Sequence, residues 1–230
     1  MRLATSLVQD IRFQFRHGFY YVYGILSVMY ILVLRFLPEP IVHPTMVLIL
    51  FTDVCALGFV FIGATILLEK GQNITESLFV TPLRLYEYIL SKLVSFLILS
   101  LLSTLVIILA ARIHLENLGW FCFGLILSSL IYTLFGLIFA ARARNVNDYF
   151  VRSLGLGMLI SLPIVAYLGL FDSPVFYLFP SKATLILLDA LGKNYPTGKL
   201  VYAGVSLLFW MFLFAFIAHR RFENHVRHPA

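Results

Sequence analysis

One carboxyl group lies deep inside an apolar run: Asp53, with Thr52 beside it, in the stretch LILFTDVCALGF. An ionisable group is costly in such a place, which makes it a functional candidate by default. Its residue type leaves several roles open: contact with a cationic or zwitterionic substrate, a bond to the fifth span or a second subunit, or a hydrogen-bonded carboxyl that only packs. Other reactive groups are scattered. His17, His43, His114, His219, His225 and His228 have no metal-ligand spacing, and Cys55 and Cys122 sit in apolar runs where a thiol behaves as a small hydrophobe. Ser100, Ser103 and Thr104, and in a later run Ser128, Ser129, Tyr132 and Thr133, suit polar contacts between helices. Gly192 to Lys199 has the outline of a phosphate-binding loop. However, five residues rather than four separate Gly192 from Gly198, and Leu200 stands where Ser or Thr is required. No HExxH or GxSxG occurs. No catalytic residue and no metal ligand is assigned, and the chain is read as a non-enzyme.

The most structured polar run is EKGQNITESLFVTPLR, from Glu69 to Arg84. Asn73 followed three residues later by Glu76 fits a capping box, in which each side chain satisfies a free backbone N–H of a helix's first turn. A short transverse helix over about 74–79 follows. Thr81 before Pro82 reads as a second cap, with proline at the first helical position, where its missing N–H costs nothing. The next long helix should therefore start near Pro82, after a bend at Gly71, with Arg84, Glu87 and Lys92 exposed. A second polar run holds Arg142, Arg144, Asn145, Asn147, Asp148 and Arg152, which suits a docking protein or anionic headgroups equally well.

These groups hang on a very apolar scaffold. Of 230 residues, 61% are hydrophobic and 12% charged, with a mean hydropathy of +0.95; soluble domains carry about 25% charged residues. A soluble fold of this length could not hide so much apolar surface. A helix crossing the hydrocarbon needs about 20 mostly apolar residues. Six windows qualify, at about 18–37, 46–68, 84–111, 118–140, 153–171 and 200–218, and Pro163 removes one backbone hydrogen bond from the fifth. The expected fold class is an all-α integral membrane protein of six transmembrane helices.

With the N terminus inside, twelve Lys and Arg residues fall on that side of the spans and five on the other, the bias that marks the cytoplasmic face. Both termini are thus expected in the cytoplasm, and the net charge of +6 reports topology rather than a nucleic-acid surface. Over residues 1–17, Leu3, Leu7, Val8, Ile11 and Phe15 recur at helical spacing, with Arg2, Ser6, Asp10, Gln14 and Arg16 on other faces. That pattern belongs to an amphipathic helix lying in the membrane interface. Between the last two spans, Leu185, Ile186, Leu187, Leu188 and Leu191 form a short apolar helix that Ser181 could cap at its start and Gly192 at its end. It is too short to cross, so a partly inserted or interfacial position is expected.

The stretch Leu67-Leu68-Glu69-Lys70-Gly71, continuing through Glu76-Ser77-Leu78-Phe79-Val80-Thr81-Pro82-Leu83-Arg84 to Tyr88 and Ser91-Lys92, resembles the membrane subunits of ABC-2 type exporters. Within that group the chain looks like the fluoroquinolone-export permeases. The resemblance implies a six-span domain over 18–230 that pairs with a second identical or homologous permease subunit to form a path for a small drug-like or lipid-like molecule. It implies a separate ABC ATPase, which binds ATP and Mg while this chain binds no cofactor, and a multi-pass location in a prokaryotic cell (inner) membrane. Glu69, Lys70, Gly71, Asn73, Glu76, Thr81, Pro82 and Arg84 would be the ATPase-coupling element. Arg142, Arg144 and Asp148 would form a second contact, and Asp53 is the candidate on the substrate path. Gln72, Asn73 and Ile74 depart from the charged or small residues common in relatives. Two other classes compete. A secondary transporter would show midplane helix breaks and repeats, of which only the Pro163 break is found. A lipid-modifying enzyme would need clustered intramembrane Asp, His or Ser groups, of which only Asp53 is available.

Overall fold

The computed structural model describes residues 2–72, 85–111, 116–143 and 145–227, and is all-α over them. Helix α1 (Arg2–Arg16) leads into α2 (Phe19–Phe36) and α3 (Glu39–Ala56). A single π turn, Leu57–Phe61, joins α3 to α4 (Ile62–Gly71). Then come α5 (Leu85–Ala111), α6 (Leu118–Ala140), α7 (Val146–Ser161) and α8 (Pro163–Tyr167). A 3-10 turn at Pro174–Leu178, α9 (Pro180–Asp189) and α10 (Thr197–Arg227) complete the order. Among the described residues six helices are long and apolar enough to span: α2, α3 to α4, α5, α6, α7 to α8, and α10.

The hydrophobic pattern explains the layout. Helix α6 is apolar on all sides and mostly buried, so it takes the centre, packed against α3, α4, α5, α9 and α10. Helix α2 turns Tyr21, Ile25, Met29, Leu32 and Phe36 outward, a face that only lipid or another apolar surface can cover. Span two starts earlier than its apolar window, at Glu39, because Pro38 and Pro40 set up the first turn and Pro44 still lies close enough to that end to be accommodated.

Backbone-to-backbone contact between the π turn and α6 forms the tightest seam. A Cβ added to Gly58 would lie 2.6 Å from the backbone nitrogen of Thr133, and one on Gly136 would strike the Gly58 carbonyl. Small residues permit this approach. The Tyr149 hydroxyl donates to the carbonyl of Phe59 inside the turn, the kind of side-chain insertion that distorts a helical ladder.

The fifth span breaks at Leu162, before Pro163. Ser181 donates its hydroxyl to the carbonyl of Ile160 at that break. This corrects the expectation that Ser181 caps α9: Phe179 is the N-cap, Pro180 fills the first position, and Ser181 serves a neighbouring helix instead. Gly192 lies beyond the Ala190 C-cap, against the ring of His43. Helix α9 is buried along its length between α3, α6 and α10.

Candidate functional site

Helices α1, α4 and α5 meet in a closed polar centre. On α5, Tyr88, Ser91, Lys92 and Ser95 follow i, i+3, i+4, i+7 spacing and so share one face. On α1, Ser6, Asp10 and Gln14 repeat every four residues, and all three are buried. Glu69 projects from the last full turn of α4. The Lys92 ammonium, 0% exposed, lies 2.5 Å from Asp10 Oδ1 and also bonds Glu69 Oε1. Ser91 donates to Asp10 Oδ2 at 2.6 Å, and the Tyr88 hydroxyl donates to Glu69 Oε2 at 2.8 Å. Ser6 donates to Ser91, and the Gln14 amide to Ser95, each at 3.0 Å.

All four carboxylate oxygens therefore have donors. That is the condition under which buried charge is tolerated, because desolvation otherwise exceeds the Coulombic gain. Two sequence expectations change here. Lys92 is not exposed at the start of span three, since two carboxylates from other helices enclose it. The polar stripe of α1 is its protein-facing side, whereas Val8 and Phe15 point outward beside Arg12 and Arg16.

Around this centre the chain is tied down further. Lys70 donates to the carbonyls of Ala140, Ala141 and Ala143 at 2.9, 2.8 and 3.3 Å. It thereby satisfies groups that the C-terminal turn of α6 leaves free. Gln72 and His17 approach at 3.2 Å. Gly71 ends α4 as an exposed helical residue, followed by Gln72 as C-cap. Asn73, Glu76, Thr81, Pro82 and Arg84 lie outside the described residues, as does Arg144. Arg142 is exposed just after α6. Asp148 forms an i,i+4 pair with Arg152 at 2.5 Å in the first turn of α7, which Asn145 caps. The structure thus brings Glu69 and Lys70 into the bundle, with the second polar run within reach of Lys70 but not of the ion cluster.

Asp53 faces elsewhere. It looks toward α2 and α5, where the hydroxyls of Tyr30 and Ser103 approach it without forming a well-aligned hydrogen bond. Its neighbours are spans one and three rather than span five. Thr52, one residue away, lines a cavity of about 280 Å³ on the other side of α3, together with Cys55, Phe59, Tyr132, Phe135 and Met158. Ser128 bonds Thr184 of α9 at 2.8 Å. Among the described residues no group of three or more His, Cys, Asp or Glu is placed to hold a metal.

Sequence reasoning missed a second hub, at Asp189. Its buried carboxylate accepts from Tyr167 at 2.8 Å and Tyr195 at 2.5 Å, with Lys193 at 3.2 Å and His43 at 3.5 Å. Burial and the adjacent Asp189 push the Tyr195 phenol well above its usual range. The available signal was an acidic residue closing the apolar run LILLDALG.

Residues 1–229 match the model of the fluoroquinolones export permease protein family. The chain belongs to that family. Two fluoroquinolones export permease proteins of Mycobacterium tuberculosis, from strains CDC 1551 / Oshkosh and ATCC 25618 / H37Rv, are each 30% identical to it over 197 residues, covering 82% of this chain and 80% of theirs. The protein is accordingly a multi-pass membrane permease of an exporter.

Proposed function

We propose that this permease is the membrane subunit of an ABC-2 type exporter, paired with a second permease subunit and driven by a separate ATPase that carries ATP and Mg. The observation that supports this best is the clamp at the two ends of segment 73–84. Glu69 before the segment is held by Tyr88 and Lys92 after it, and both ends are tied to α1 through Asp10. Helix ends held together in this way pass a push from a docked partner on to α3, α4 and α5 as rigid bodies. Orientation follows the basic residues: twelve on the side of this segment, five on the other, so the segment faces a cytoplasmic ATPase in a cell (inner) membrane.

For substrate, the reading takes a small drug-like molecule with a flat ring body; the relatives are named for fluoroquinolones. The aromatic-lined cavity beside Thr52 suits such a body. Its volume of about 280 Å³ is close to the lower end of small-molecule sites, about 300 Å³. Co-expression with the ABC ATPase encoded beside it should give a detergent-stable complex whose ATP hydrolysis exceeds that of the ATPase alone, and Glu76→Arg should remove that stimulation. An ATPase that never co-purifies, or stimulation untouched by Glu76→Arg, would overturn the reading.

A further inference from the structure

Four buried acidic side chains can be compared within this one bundle. Asp10, Glu69 and Asp189 each have both oxygens supplied with donors or cations. Asp53 differs. It is 1% exposed, and neither of its oxygens makes a well-aligned hydrogen bond, although the Ser103 and Tyr30 hydroxyls approach it. The groups that approach it from α2 and α5 are the hydroxyls of Tyr30 and Ser103, the latter flanked on α5 by Ser100 and Thr104 at helical spacing, with the Tyr23 phenol near enough to act on it electrostatically. Tyr23, Ser100 and Thr104 are themselves buried without hydrogen-bond partners.

A carboxylate desolvated among neutral hydroxyls carries a heavy penalty, whereas its protonated form does not. The titratable groups nearby are phenols and a thiol: Tyr23 and Tyr30 of α2, and Cys55 of α3, backed by Tyr132 of α6. No described basic side chain pairs with Asp53. The nearest acid–base contacts on the same continuous helix involve His43, roughly 15 Å away at 1.5 Å per residue, and Glu69 in the opposite direction. What neutralises Asp53 in this packed arrangement must be small, and a proton is the smallest such ligand.

We propose that Asp53 is a proton-binding site of the permease, loaded when α2 is packed on α3 and α5 and emptied when α2 moves away. Helix α2 is the element suited to open, because most of it faces outward and its packing is mainly on α5, with little contact to α3. In the opening step the carboxyl O–H bond breaks, its proton passes to entering water, and the carboxylate that remains is hydrated. Closure reverses the transfer. A conformational step of transport is thereby tied to proton uptake and release, independently of which ATPase or substrate is used.

Infrared spectra of the full chain in lipid nanodiscs, recorded at a series of pH values from neutral to mildly acidic, test this. The wild type should show a protonated-carboxyl C=O stretch that shifts in heavy water. Asp53→Asn should lose the band while keeping the wild-type thermal midpoint, and Asp53→Glu should move it. No band in the wild type, or an identical band in both variants, overturns the proposal. A thermal midpoint that rises with sodium or potassium chloride in the wild type but not in Asp53→Asn also overturns it, in favour of a bound metal cation.

Discussion

Lys92 of α5 bonds Glu69 of α4 across the base of segment 73–84, and the same ammonium holds Asp10 of α1 at 2.5 Å. Two helices that follow one another among the described residues and a third distant in sequence therefore share one charge. The arrangement costs desolvation, and an apolar trio could pack as stably. What the charge adds is register: α4 can shift along α5 only if Lys92 leaves a carboxylate behind, so the element moves as a unit or stays in place.

Replacing Lys92 with Met should therefore destabilise the fold strongly, by about 3–5 kcal/mol, because two buried carboxylates lose their counter-ion. Adding Asp10→Asn and Glu69→Gln to that variant should recover most of the loss, since neutral side chains of the same size remain. The comparison is made by denaturation midpoints of the single and triple variants in detergent. If the triple variant is no more stable than Lys92→Met, the charge cluster is not what holds the three helices.

Glycine positions separate close packing from mere composition. Gly58→Ala places a methyl 2.6 Å from the Thr133 backbone nitrogen, and neither backbone can yield alone, so a loss of about 1–3 kcal/mol is expected. Gly24, also helical, has nothing within 4 Å of its Cβ position. Gly24→Ala should be stabilising by roughly 0.5–1 kcal/mol through the helix alone. Equal midpoints for the two alanine variants would contradict the seam between the π turn and α6.

The six spans were legible because lipid imposes one requirement, length of apolar run, that sequence displays directly, and the helix before them because its apolar residues recur at helical spacing. The partners of polar residues were not. Ser6, Asp10 and Gln14 read as the wet side of an interfacial helix, yet they face Ser91, Lys92 and Ser95, more than 80 positions away in the chain. Local spacing shows that such residues share a stripe and is silent on what the stripe meets. Lys92 illustrates the same limit, since its burial depends on carboxylates supplied by two other helices. Leu162 and Pro163 were the easier case: proline removes its own bond wherever it stands, and only the rescue by Ser181 required three dimensions.

Tyr195 gives a pH dependence with a definite sign. Its phenol is held above the ordinary value near 10 by burial and by Asp189, so the unfolded chain releases that proton first. The contribution is fully present below pH 10 and declines as pH rises beyond it. Thermal unfolding across alkaline pH should show a steeper loss for the wild type than for Tyr195→Phe. Parallel curves would mean that Tyr195 ionises alike in both states.

The cavity beside Thr52 separates transport from assembly. Thr52 is exposed on the cavity side of α3, while Asp53 next to it is buried on the other. Thr52→Trp should fill much of the 280 Å³ space without touching Glu69, Lys92 or Asp10. On the proposed function, efflux measured with a fluoroquinolone in cells carrying this variant should fall several-fold, because the proposed substrate site is filled, whereas association with the proposed ATPase should stay at the wild-type level because the clamp is intact. Met158→Ala enlarges the same cavity and should alter which quinolones are preferred rather than abolish efflux. Unchanged efflux by Thr52→Trp would place the substrate elsewhere, and a loss of ATPase association would show that the cavity is mechanically joined to the foot of the bundle.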